Sequence, residues 1–252
     1  MIEIFILSIV QGVTEFLPIS SSSHLILISE FFKFENQNLA IDISCHIGSF
    51  FAVIIYFHND IFNFFKNRAL MAKILISSLP VMIIGFYLAQ SGLIDNLRNL
   101  KIITWTTILF GILLYISDRF KIEKSIENNF TIKSAIFIGL FQIFSLIPGV
   151  SRSGIAITAA RLLNFKRTDA AKISFLLSIP ILGAVSFFGL KNIIFSNDIF
   201  MTKFNLISIF LSFLFSIITI KFFLIYIKKF SLNVFVYYRI TLGVALLCLV
   251  YL

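Results

Sequence analysis

Six apolar stretches, most of them near the length needed to cross a bilayer, leave this chain few ways to fold. They run roughly over Ile41–Phe57, Lys73–Gly92, Ile102–Ser117, Ala171–Phe188, Leu206–Ile225 and Val234–Leu252. A helix needs about 20 apolar residues to cross the ~30 Å hydrocarbon core, so the shorter stretches borrow flanking residues or local bilayer thinning. Of the 252 residues, 59% are hydrophobic and 13% charged, whereas soluble domains run near ~25% charged. Such a chain cannot cover a water-facing surface. The runs are continuous rather than alternating, which excludes an outer-membrane barrel. The expected fold is therefore an all-α polytopic membrane protein, one integral membrane domain over 1–252.

Two segments break this pattern. Ile4–Leu17 is too short to span, carries Glu15 in its last turns and is stopped by Pro18. Four serines and His24 follow before apolar residues resume at Leu25. A carboxylate at a bilayer centre costs about 2.5–3.5 kcal/mol even on lenient insertion scales, which makes it a functional residue by default. Much later, Ser134–Phe165 repeats the design: short, broken at Pro148-Gly149, short again, with Arg152 just past the break. Both read as re-entrant helical hairpins, since irregular backbone at that depth survives only under protein or beside a water-filled cavity.

A hairpin plus three spans thus occurs twice, over 1–118 and 134–252. Glu15-Phe-Leu-Pro-Ile-Ser-Ser-Ser and Ser145-Leu-Ile-Pro-Gly-Val-Ser-Arg align on their prolines. Three spans is an odd number, so the second half is expected to lie inverted, an arrangement that brings broken helices together near the midplane. Charge gives an orientation. Of the 21 Lys and Arg, thirteen fall on the face reached after the first span, five on the other and three inside or at segment ends. The positive-inside rule makes the first face cytoplasmic, with both termini and the first hairpin's mouth outside. In this setting the net charge of +9 serves topology and anionic lipid headgroups; no nucleic-acid partner is expected.

The serines after each proline stand where a new helix begins. Serine caps such starts, and the first turn offers unpaired N–H groups that attract phosphate. Two such starts facing one another form an anion cradle, to which Arg152 adds a bidentate fork. Arg152 reads equally as the partner of Glu15, and a resting Glu–Arg pair can be opened by phosphate. Taken one at a time, the serines are as well explained by local capping. His46 reads as a packing histidine, His58 as a solvated loop residue, Asp42 as a helix N-terminal carboxylate, and Pro80 and Pro180 as kinks. Cys45 and Cys248 are too far apart for a redox or metal motif and read as buried small hydrophobes. No signal peptide is evident.

Gln11-Gly-Val-Thr-Glu-Phe-Leu-Pro-Ile-Ser-Ser-Ser-Ser-His24 and Pro148-Gly-Val-Ser-Arg-Ser-Gly154 resemble the two signature motifs of the undecaprenyl-diphosphatase family of the bacitracin-resistance type. The likeness continues through Ile47-Gly-Ser-Phe-Phe-Ala-Val and Ser174-Phe-Leu-Leu-Ser-Ile-Pro180. Two departures stand out: Ser23 replaces a glycine, and Ala156 replaces a threonine. The resemblance implies removal of the terminal phosphate of undecaprenyl diphosphate in the bacterial inner membrane, which recycles a carrier for wall synthesis. It makes Ser21 the nucleophile, Glu15 a carboxylate tied to divalent-metal dependence, His24 the motif histidine and Arg152 the diphosphate-holding group. Thr14, Ser20, Ser22, Gly149, Ser151 and Ser153 line the expected substrate site. Glu15 and Gln11 are the expected ligands of a divalent cation, Mg²⁺ or Ca²⁺, with no organic cofactor.

The expected chemistry is attack by Ser21 on the terminal phosphorus, with Glu15 or His24 taking its proton; attack by water or His24 is the variant. A lipid-phosphate flippase or transporter could use the same site. An acid-phosphatase-type lipid phosphatase is rejected, because Thr158 stands where its histidine is required. The expected partners are a polyprenyl diphosphate and membrane lipids, and a homodimer is compatible with the pattern.

Overall fold

The computed structural model describes residues 2–34, 39–93, 97–120, 124–194 and 199–251; Lys121 and Leu252, counted above in the charge bias and the last span, lie outside them. Among the described residues the only extended pairing is an isolated bridge between Lys124 and Phe165. The helices are α1 (Ile2–Thr14), α2 (Ser21–Phe32), α3 (Leu39–Tyr56), α4 (His58–Lys66), α5 (Arg68–Gln90), α6 (Leu100–Asp118), α7 (Ile126–Asn129), α8 (Ile132–Gln142), α9 (Arg152–Leu162), α10 (Arg167–Ile194), α11 (Ile199–Lys229) and α12 (Asn233–Tyr251). A 3₁₀ turn, Ile143–Leu146, extends α8.

Side-chain oxygens capture first-turn N–H groups where the sequence offers them. Asn67 caps α5, Asn99 caps α6 and Thr131 caps α8, each satisfying a donor the helix cannot pair itself. Pro80 and Pro180 lie inside α5 and α10, which continue through them.

Five helical stretches are long and apolar enough to cross a membrane: Arg68–Gln90, Leu100–Asp118, Arg167–Gly189, Lys203–Lys229 and Asn233–Tyr251. The sixth expected span corresponds to α3, which falls with α1 and Ile132–Leu146 among the shorter apolar helices. The chain is an integral membrane protein of helical class. Its outer face carries large apolar side chains such as Phe86, Phe188, Phe210 and Phe222. Phe16, Phe57, Phe165, Phe175 and Phe223 are buried together at the centre, where Phe16 meets Phe175 edge-on at 5.4 Å.

The packing pairs elements crosswise. α1 lies on α11 while α8 lies on α5; α3 meets α10 and α6 meets α12. At one end the molecule is stitched through Asp118, the last residue of α6. Its carboxylate accepts from Arg167 at 2.7 and 2.9 Å and from the Leu232 N–H at 3.2 Å. Arg161, buried, donates to the Asp118, Phe120 and Phe165 carbonyls. This knot joins the ends of α6 and α9, the start of α10 and the α11–α12 turn.

His58 is exposed, as expected, but opens α4 rather than lying in a loop. Cys45 is buried, whereas Cys248 is exposed on α12, which corrects its reading as a buried hydrophobe.

Candidate active site

Both breaks are built on a serine in a conformation that L-residues avoid. Ser20 has φ 72° and ψ 94°, Ser151 φ 72° and ψ 115°, and each immediately precedes a helix. Non-glycine residues rarely take positive φ, and where they do it marks a structurally enforced position. The two hairpins therefore match at Ser20 and Ser151, one residue away from the register given by aligning the prolines. The extra residue is absorbed by Gly149, with φ 94°. A Cβ there would meet Thr106 Oγ1 at 2.0 Å and the Ile103 carbonyl at 2.8 Å, so only glycine fits this approach to α6.

Close helix contact brings the polar groups together. At Gly48 of α3 a Cβ would stand 2.3 Å from the Ile209 carbonyl of α11, and at Gly12 of α1 one would stand 2.8 Å from the Ser212 carbonyl. Seated this way, α1 and α3 place Gln11, Glu15 and His46 side by side.

Glu15 is the hub. Its Oε2 accepts from Ser21 Oγ at 2.6 Å and from Gln11 Nε2 at 2.8 Å, and its Oε1 accepts from Arg152 Nη2 at 2.7 Å. Glu15 is 6% exposed, and a charge so far from water persists only when paired and hydrogen-bonded. Gln11 Nε2 also lies 3.0 Å from His46 Nδ1, itself 3.9 Å from Glu15 Oε2. Gln11 Oε1, buried, has no hydrogen-bond partner among the described residues. The hydroxyl–carboxylate pair has nucleophile–base geometry, and Arg152, half-buried, keeps further donors of its fork for an anion.

The remaining expected residues divide into two groups. Ser20 Oγ bonds the Ser22 and Ser23 hydroxyls at 3.3 and 3.0 Å, and Ser151 Oγ caps Gly154 N at 3.1 Å and meets Ser153 Oγ at 3.2 Å. These line the two helix starts. Ser153 Oγ in turn donates to the Leu17 carbonyl at 2.7 Å, tying one hairpin to the other. Thr14, by contrast, donates back to Val10 of its own helix, and Gly149 serves packing. Ala156 lies in the apolar core. His24 is turned away from Glu15: Nδ1 is held by the Ser20 carbonyl at 2.7 Å, and Nε2 meets the Tyr238 hydroxyl at 2.5 Å.

Three residues escaped the sequence reading. His46 belongs to the Glu15 cluster rather than to packing alone, because Gly48, two residues on, draws α3 against α11. Tyr238 contacts His24. Arg239, 1% exposed, reaches both breaks: it donates to the Pro18 carbonyl at 3.2 Å, the Gly149 carbonyl at 2.9 Å and the Thr107 carbonyl at 3.2 Å. One signal for Arg239 was present, an arginine inside an apolar span.

Comparison with known proteins identifies the family. A family model described as "Bacitracin resistance protein BacA" matches residues 4–245. An "Undecaprenyl-diphosphatase" of Pelagibacter ubique (strain HTCC1062) is 51% identical over 99% of this chain and 98% of its own. Proteins of the same name from Jannaschia sp. (strain CCS1) and Saccharophagus degradans (strain 2-40) are 38% and 40% identical, covering 98% and 97% of this chain and 98% and 96% of their own. All three relatives are named for hydrolysis, which leaves the flippase alternative without support. With a match spanning both broken hairpins and nearly every helix between and beyond them, the chain belongs to the bacitracin resistance protein BacA family.

Proposed function

We propose that this protein is a membrane phosphatase that hydrolyses undecaprenyl diphosphate to the monophosphate and inorganic phosphate. The observation that carries the proposal is Glu15 held between Ser21 and Arg152. Ser21 Oγ attacks the distal phosphorus and its proton passes to Glu15 Oε2. The bridging P–O bond breaks, and the lipid monophosphate departs with the bridging oxygen. Water then attacks the phosphoserine, with His24 Nε2 taking a proton from it. Arg152 leaves Glu15 and turns its fork to the phosphate oxygens, beside the first-turn amides of α2 and α9. Phosphoryl transfer depends mostly on such positioning and charge screening.

A divalent cation fits as a shared ligand rather than a caged one. Glu15 and the partnerless Gln11 Oε1 would hold it, and Mg²⁺ is commonly bound by one or two carboxylates plus substrate phosphates. Bound there, it would add Lewis-acid neutralisation of the diphosphate.

The same proposal includes an inverted repeat of 1–118 and 134–252, six spans with α3 as the sixth, and two re-entrant hairpins. The crosswise packing supports it, as does an equal interval: Gln11 and Gln142 each lie nine residues before their strained serine. The mouth and both termini face the outer leaflet of a bacterial inner membrane, a placement that rests on the charge bias.

The test is phosphate release by purified protein in detergent, where transport is impossible. Ser21→Ala and Arg152→Ala each abolish it; full activity in either ends the assignment.

A further inference from the structure

Tyr238 stands on α12, 42% exposed, at the edge of the site. Its ring stacks on that of His24, with centroids 5.7 Å apart and planes 11° from parallel, and its hydroxyl meets Nε2 at 2.5 Å. The other ring nitrogen faces the carbonyl of Ser20, which can only accept, so Nδ1 carries the proton and Nε2 presents its lone pair to Tyr238. The imidazole is thus fixed at both nitrogens and on one face. The next residue along α12, Arg239, is anchored to both breaks, which sets Tyr238 relative to the start of α2. Ser21 and His24 are three residues apart on that helix and so share a face.

We propose that Tyr238 is a positioning residue for the hydrolytic half of the reaction: it fixes the orientation of the His24 imidazole, whose tautomer the Ser20 carbonyl sets, so that the basic Nε2 stands ready beside the start of α2. This rests on the assignment of Ser21 as nucleophile. When a water takes the place of the Tyr238 hydroxyl on Nε2, its oxygen bonds to the phosphorus of phosphoserine and its proton goes to Nε2. The P–Oγ bond breaks, Glu15 returns its proton to Ser21 Oγ, and phosphate leaves. Without the tyrosine hydroxyl nothing holds the Nε2 side, and the ring samples orientations in which that nitrogen points elsewhere.

Tyr238→Phe keeps the stacked ring and removes only the hydroxyl. The expected result is a fall in kcat of about tenfold, at the low end of what losing a histidine's outer partner does, with KM unchanged. In a His24→Gln background the same substitution produces no further fall, since the tyrosine acts through the histidine. An equal fall in both backgrounds, or none with His24 present, overturns the proposal. Nitrogen-15 spectra of histidine-labelled protein add a readout independent of turnover. The chain has three histidines, so His46→Gln and His58→Gln variants assign the His24 signals. The expected spectrum is Nδ1–H with unprotonated, hydrogen-bonded Nε2, and in Tyr238→Phe the Nε2 resonance moves to that of a nitrogen without the tyrosine's hydrogen bond. A His24 signal unmoved by that substitution overturns the lock even where Ser21 is upheld, whereas a moved signal with an active Ser21→Ala protein upholds the lock and removes only the nucleophile.

Discussion

Replacing Arg239 by methionine tests how the two breaks are held at a common point. The guanidinium is fully buried, and its three acceptors are carbonyls, those of Pro18, Gly149 and Thr107. Methionine fills comparable volume and removes a buried charge, a change that is often neutral for folding when the charge had to be desolvated. It leaves the acceptors unmatched, and a buried group without its partner costs about 1–3 kcal/mol. For the two break carbonyls together that is about 2–6 kcal/mol. The breaks relieve it by moving apart, which separates Glu15 and Ser21 from Arg152. At ~1.4 kcal/mol per decade of rate, about 2.8 kcal/mol expressed this way lowers turnover about 100-fold. Arg239→Lys retains the charge, but a compact ammonium cannot reach three divergent carbonyls, and it falls between wild type and methionine. The assay is phosphate release in detergent, run beside thermal unfolding so that loss of folded protein is separated from loss of rate. Wild-type turnover in a folded Arg239→Met protein would refute the idea that this arginine aligns the hairpins.

Other substitutions follow from the same contacts. Glu15→Gln keeps the shape but removes the proton acceptor of Ser21 and the countercharge of Arg152; kcat falls about 10²–10⁴-fold, the usual contribution of a positioned base, measured by the same assay. Gly149→Ala forces both a Cβ against Thr106 and a positive φ on a residue that avoids it, so folded yield and thermal midpoint drop, as read by detergent size-exclusion and a melting curve. Gln11→Leu removes the partnerless Oε1, and the Mg²⁺ concentration for half-maximal activity after chelation rises about tenfold; an unchanged requirement would take Gln11 out of the metal's reach.

The two helix breaks were legible because their signals are local: a proline falls in each break, serines start the next helix, and Glu15 and Arg152 have no place in lipid unless paired. The Glu15–Arg152 pair followed from those two facts. The register between hairpins was not legible, since the proline is the conspicuous residue while the geometry hinges on a positive φ that Ser20 and Ser151 adopt unannounced. His46 was hidden because an apolar context favours packing, and its partner Gln11 lies 35 residues away. Arg239 was harder still. Its acceptors are main-chain carbonyls 221, 90 and 132 residues distant, and a carbonyl leaves no trace in the choice of side chain.

Matching the hairpins at Ser20 and Ser151 gives each chemical group a counterpart. Glu15 stands five residues before one serine, and the same place before the other is Leu146; Ser21 stands just after one, and the same place after the other is Arg152. On the proposed mechanism the acid and nucleophile come from one proposed half and the guanidinium from the other, so neither half would hold a working set. Such an enzyme is in effect a heterodimer fused into one polypeptide. A chain severed near Lys124 should be inert as separate fragments and regain turnover only when both are made together in the same membrane.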